Sequence, residues 1–212
     1  QVRPSQRMMC APTHYYDIMS AEQLSALLLS ILAVGYTPGP ANIFAMSCSV
    51  RYGLRKTMRV WLGLLCGFCC AALLAALAAH LAGMAFAAYI PYIRYIAVAY
   101  ILYLAWKTYR GGISDTAATA PTFASGFIVQ LTNAKIILFE LSCYSIFVLP
   151  YSERFIDLLP VAALLLLAGP GANLVWILAG SALRPFVTAH LRAVSITMSV
   201  LLAACAVALL FM

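Results

Sequence analysis

Between Gln23 and Val50 the chain runs for 28 residues without a formal charge, and in the middle of that run stands Tyr36, Thr37, Pro38, Gly39, Pro40, Ala41, Asn42. A helix of this length, rising about 1.5 Å per residue, is longer than the ~30 Å hydrocarbon core of a bilayer. Pro38 and Pro40 have no amide hydrogen, so the carbonyls of Val34 and Tyr36 lose their helical partners, while Gly39 lets the chain turn between them. Pro40 also suits the first position of a new half-helix, whose amides at Ala41 and Asn42 carry the positive end of its dipole. Free carbonyls attract an ammonium and a positive helix end attracts a carboxylate. The break is therefore shaped to receive a zwitterion such as an amino acid. The same residues also admit a plain proline kink relieved by neighbouring helices.

Composition sets the solvent. The 212 residues are 65% hydrophobic and 9% charged, which excludes an ordinary soluble domain and indicates a polytopic all-α membrane protein. A single transmembrane domain is expected over 21–212. The net charge of +7 does not point to nucleic acid, because in an apolar chain what matters is where the basic residues fall relative to the spans. The seven cysteines lie mainly inside apolar runs and imply no disulfide framework. Residues 1–20 lack the layout of a signal peptide, and Met19 would make a natural start, so this tail is expected to be disordered or not native.

Six transmembrane helices are expected, at about 21–50, 60–82, 89–108, 124–149, 158–183 and 193–212. Arg51, Arg55, Lys56 and Arg59 follow the first and form a basic loop, the strongest orientation signal in the chain. Val60 to Ile93 holds 34 residues without formal charge, too many for one span, and Gly83 and Pro91 suggest a turn between two helices. Lys107, Arg110, Arg184 and Arg192 fall in loops on the same side as the first basic loop, against Arg94 and Arg154 on the other. Arg94 is expected to snorkel to the headgroups, and Tyr89, Tyr92, Tyr95, Tyr100 and Tyr103 to serve interface and packing roles. The basic side is cytoplasmic, so both termini should face outward.

Six spans with both termini on one side divide into a 3+3 inverted repeat, and the polar interruptions follow that division. The first lies in helix one and the second, Leu131 to Lys135, in helix four. A third, Gly169, Pro170, Gly171, Ala172, Asn173, is expected to interrupt helix five and to free the carbonyl of Leu166. On a regular helix Gln130, Asn133 and Glu140 share one face, while Lys135 points elsewhere. Lys135 and Glu140 within a bilayer either pair as a structural unit or mark a pathway. On the second reading Lys135 meets a substrate carboxylate or is displaced by protons, and Glu140, with Lys135, couples transport to protons.

These residues resemble the lysine-exporter (LysE/RhtB) family of amino-acid efflux transporters. The break with its Ala41 and Asn42, the loop starting at Arg51, Tyr52 and Gly53, Gly67 and Phe68, and Asn133, Ala134 and Lys135 carry the resemblance, which covers about residues 20–212. Lys135 to Leu138, Phe147 to Pro150, Gly171, Asn173, Trp176, Ala179 and Gly180 are most similar to the cysteine and O-acetylserine branch. The resemblance implies proton antiport of cysteine, O-acetylserine or a similar small neutral amino acid out of the cell across a bacterial inner membrane. Its signature residues are Pro38, Gly39, Pro40, Asn42, Asn133 and Lys135. Ala134 stands where the family usually has proline, so the residues leave open whether helix four is broken, and Glu140 has no expected counterpart in the cysteine branch.

The substrate path is expected to include Pro38, Gly39, Pro40, Asn42, Gln130, Asn133, Lys135 and Asn173. The implied partners are an amino acid, protons and the lipid bilayer. No cofactor or metal is indicated, and no GxxxxGK[ST] loop is present for ATP. Small residues on the helix surfaces would permit a homodimer without requiring one. The competing reading is a transmembrane thiol-disulfide carrier using Cys66 and Cys69, which stand as a CxxC in helix two. A divalent-cation exporter ranks below it, because the three histidines are scattered.

Overall fold

Apolar residues all round a helix, with breaks only where proline, glycine or an amide side chain competes with the backbone, build a bundle of helices and nothing else. The computed structural model of the chain describes residues 20–87, 90–112, 121–152 and 154–210. Its elements are α1 (Ala21–Tyr36), α2 (Pro40–Tyr52), α3 (Leu54–Ala87), α4 (Ile90–Gly111), α5 (Phe123–Leu131), α6 (Ala134–Phe147), α7 (Phe155–Ala182), α8 (Arg184–Ala189) and α9 (Leu191–Leu210). Among the described residues there is no strand. Of the expected N-terminal tail, residues 1–19 lie outside the described residues while Ser20 caps α1; Tyr89, the acidic Glu153 and the side chain of Arg94 also lie outside them.

By length and composition α3 and α7 can each cross a bilayer. Two bent pairs reach the same standard if each is one span: α1 with α2, bent by 46°, and α5 with α6, bent by 52°. The first bend follows from the prolines. Gly39 is extended ahead of Pro40, which takes the first position of α2. The second has no proline. Asn133 sits at ψ 89°, outside the helical region, and the Thr132 hydroxyl donates to the Ile128 carbonyl at 2.8 Å. The helix therefore ends here through the backbone conformation of Asn133, without a proline and without a side-chain cap for the next helix.

Three expectations need correction. The basic loop after helix one is no loop, because only Gly53 separates α2 from α3, and its φ of 81° is a left-handed conformation that glycine adopts freely. Arg51 therefore closes α2 and Arg55, Lys56 and Arg59 lie on the first turns of α3. The Gly169, Pro170, Gly171 segment does not interrupt its helix, since α7 runs continuously through Pro160 and Pro170 and begins at Phe155 rather than 158. Neighbouring helices hold it: Trp61 of α3 donates its indole N–H to the Pro170 carbonyl at 3.0 Å. Finally, because helix four is broken, Gln130, Asn133 and Glu140 do not share one helical face.

α3 is the spine, packing along α5, α6 and α7, while α4 pairs with α9 and α2 lies on α7. Glycines set the spacing between α3 and α5. A Cβ on Gly67 would stand 2.7 Å from the Phe127 carbonyl oxygen, and one on Gly63 or Gly126 would run into the opposing backbone. Such close crossing of small residues is how helices associate without a hydrophobic drive. A core of Leu27, Phe68, Ala72, Tyr144, Leu158 and Leu165 joins α1, α3, α6 and α7, and a second joins α4, α6 and α9 through Ile101, Leu138 and Leu202. The outer surface is apolar as well: Leu81 and Leu167 are 76% and 80% exposed, as suits contact with lipid. The Arg192 guanidinium lies 4.8 Å over the Tyr109 ring and donates to the Tyr109 carbonyl, so the basic ends of α4 and α9 meet on one side.

Gly126→Leu should force α5 off α3 and cost about 1–3 kcal/mol, the usual range for overpacking. A lowered thermal midpoint of the detergent-purified protein checks this, with Gly112→Leu less able to serve as control because Gly112 has a φ of 80°.

Candidate functional site between the two broken helices

The carbonyls of Val34, Gly35, Tyr36 and Thr37, at the first break, have each found a side-chain donor. The Thr37 hydroxyl donates to the Val34 carbonyl at 2.9 Å. The Asn42 amide nitrogen donates to the carbonyls of Gly35 and Thr37, both at 3.0 Å. The Trp176 indole of α7 donates to the Tyr36 carbonyl at 3.2 Å. Four carbonyls are thus served by residues of the break, of α2 and of α7, which answers the requirement that backbone groups be paired where no water reaches.

The second break adds a cation. The Lys135 ammonium donates to the Thr37 carbonyl at 3.1 Å and to the Thr37 hydroxyl oxygen at 2.8 Å, so the start of α6 is tied directly to the end of α1. Lys135 is 3% exposed, and its chain runs against Gly39, where an added Cβ would lie 3.0 Å from the lysine Cδ. This position became reachable because α6 starts a new helix at Ala134. On a continuous helix Lys135 would face away from Asn133.

Gly35, Gly39, Asn42, Phe68, Gln130, Asn133, Lys135, Ile136, Gly169 and Asn173 line one cleft. The cavity volume is about 10 Å³, on the order of one water and far below the several hundred Å³ of a usual ligand pocket. The conformation described is therefore closed. Asn173 donates its amide nitrogen to Asn42 Oδ1 at 2.6 Å, which links α7 to the first break. Neither Gly39 at the head of α2 nor Asn133 at the head of α6 gives its helix a side-chain cap. The positive ends of two half-helices thus sit beside a lysine. Among the described residues no aspartate or glutamate lines the cleft.

Of the expected path residues, Gly39, Asn42, Gln130, Asn133, Lys135 and Asn173 come together at this cleft, while Pro38 and Pro40 flank it in the backbone without lining it. Glu140 lies elsewhere. It is fully buried on α6, both carboxyl oxygens lack a partner, and its surroundings include Cys69, Cys143 and Tyr144. It makes no ion pair with Lys135, so the two charges are not a structural pair. Cys66 and Cys69 are free thiols on α3 outside the cleft, Cys66 exposed on the outer surface. Tyr92, Tyr95, Tyr100 and Tyr103 are likewise exposed and do not line it. Sequence reasoning gave no site role to Thr37, Gly35 or Phe68. Thr37 carried a readable signal, a hydroxyl in the last turn before a proline break.

Asn42→Leu should leave the Gly35 carbonyl and the Asn173 amide without their partner, at about 1–3 kcal/mol for each orphaned group. Accelerated proteolysis at the break and a lowered thermal midpoint would register that loss; an unchanged midpoint would mean that water enters the break.

The LysE type translocator family model matches residues 32–212. The cysteine/O-acetylserine efflux protein of Escherichia coli O1:K1 / APEC is 32% identical over 195 residues, which cover 91% of this chain and 100% of that relative. Those of Escherichia coli (strain K12) and Shigella sonnei (strain Ss046) are 31% identical over the same shares. No solved structure matches the chain.

Proposed function

Because the chain belongs to the LysE family of translocators, and is a transporter and not an enzyme, we propose that it exports a small neutral amino acid by proton antiport. The relatives' names point to cysteine or O-acetylserine as the substrate. The observation that carries this reading is the seat of Lys135: a cation held at the uncapped head of α2, bonded to Thr37, in a cleft without a carboxylate. Such a place has positive potential to spare and favours a ligand carboxylate. A zwitterion brings that carboxylate with no net charge. A basic amino acid would bring a second cation beside Lys135, so neutral substrates are preferred over lysine.

Export on this reading is a trade of partners. The incoming carboxylate draws the Lys135 ammonium off Thr37, whose carbonyl keeps the Asn42 donor. The tie between the end of α1 and the start of α6 is then released, and the two broken helices are free to part. Glu140, buried without a donor, is the coupling group: a proton there removes a charge that the apolar surroundings cannot solvate. The full arrangement is six spans in a 3+3 inverted repeat, in a bacterial inner membrane with both termini periplasmic. The two bent pairs occupy the first position of each half, and the basic ends of α4 and α9 meet on one side, in support of this arrangement.

Labelled cysteine, O-acetylserine, threonine and lysine offered to inside-out vesicles, with and without a proton gradient, test the proposal. Gradient-dependent accumulation of a small neutral amino acid and none of lysine is expected; accumulation of lysine alone would sink it. Lys135→Ala should lower uptake about tenfold or more, the scale of one lost charge-assisted bond. Glu140→Gln should retain exchange of labelled for unlabelled substrate while losing the response to the gradient. Serine at Cys66 and Cys69 together should leave uptake near wild type, whereas a thiol carrier would lose its function.

A further inference from the structure

An amino acid has two ends, and the carbonyls freed by the first break are already bonded to Thr37, Asn42, Trp176 and Lys135. Each of these carbonyls already has a donor from the protein itself. Three other acceptors have none. Gln130 Oε1, Asn133 Oδ1 and Asn173 Oδ1 are buried without a hydrogen-bond partner, on residues 1%, 3% and 5% exposed, and all three residues line the cleft. Buried polar atoms are rarely left so, and three in one cleft call for a common donor.

The orientation of Asn173 is set by its neighbours. Asn42 gives its nitrogen to two carbonyls, so its oxygen can only accept, and Asn173 must turn its own nitrogen to it. The Asn173 oxygen is thereby left over. Gln130 comes from α5, Asn133 from the second break and Asn173 from α7, so the three acceptors approach from different elements. The nearby ammonium of Lys135 is turned to Thr37 instead of to them.

We infer that the amide oxygens of Gln130, Asn133 and Asn173 form the receptor for the substrate's primary ammonium group. An ammonium carries three N–H donors, and neutral amide oxygens accept them without adding a fixed negative charge. With the carboxylate at Lys135 this deepens, and rests on, the reading of the cleft as an amino-acid site. The receptor demands a free amine. An N-acetyl group leaves one N–H, no charge and more bulk, and a 2-hydroxy acid offers a single donor. Both are rejected even when the rest of the molecule is unchanged. Because Asn173 also holds Asn42, an ammonium bound there bears on the residue that caps the first break.

The test is thermal stabilisation of the purified full-length protein by cysteine, serine, O-acetylserine and threonine, against N-acetylcysteine and the 2-hydroxy analogue of cysteine. The free amines are expected to stabilise at concentrations about tenfold or more below those of the two analogues. Gln130→Leu should erase that difference, and it removes no side-chain hydrogen bond among the described residues; Gln130→Glu, which keeps an acceptor oxygen, should preserve it. Equal stabilisation by amine and N-acetyl forms, no stabilisation by any of the amines, or unchanged discrimination in Gln130→Leu would overturn the receptor. Amine-selective stabilisation without any vesicle uptake would instead overturn the export reading and leave the receptor standing.

Discussion

A helix broken inside a bilayer exposes backbone carbonyls to a solvent that cannot bond them, and the rest of this structure is arranged around that fact. Unpaired, each group would cost several kcal/mol in hydrocarbon. Thr37 serves Val34 from within the same turn, Asn42 reaches back from α2 to Gly35 and Thr37, Trp176 comes from α7 to Tyr36, and Lys135 comes from α6 to Thr37. These bonds cross between the two bent pairs and α7. The interruption in one helix is therefore the point at which the separate parts of the bundle are joined.

That junction requires close approach, and glycine supplies it. Gly63, Gly67 and Gly126 bring α3 and α5 into backbone contact, which carries Gln130 and the second break toward the first. On the other side Gly180 of α7 meets α2 at Met46 and Ser49, and Gly169 accepts the ring of Phe68. A side chain at any of these points would hold the helices apart by more than a hydrogen bond spans. The polar centre is thus a product of small residues that border it or lie along the helices leading to it.

The closed cleft and its unbalanced charge belong together. With room for about one water, the site keeps Lys135 bonded internally, and the lysine's partner is a neutral threonine instead of a carboxylate. A neutral partner binds a cation less tightly than a carboxylate would, which is what the proposed exchange for a substrate carboxylate requires. Glu140 is buried on α6, does not line the cleft and has no hydrogen-bond partner at either carboxyl oxygen.

Much of this was legible in the sequence. The apolar runs required membrane helices, and Pro38 and Pro40 required that the carbonyls of Val34 and Tyr36 lose their helical partners, because no tertiary context restores an amide hydrogen to proline. The motifs around them carried the family, which the match over residues 32–212 bears out. Tertiary structure decided the rest. Whether proline breaks a helix depends on what its neighbours offer the freed carbonyls, so Pro170 was absorbed into α7, while helix four broke at Thr132 and Asn133 without a proline. The place of Lys135 followed from that second break, since a turn of the chain that no periodicity records swung it from the far face of a helix onto Thr37. Sequence determined which groups would be left without partners, by covalent chemistry alone; only the packed bundle decided which partners they found, because those lie up to about a hundred residues or more away along the chain.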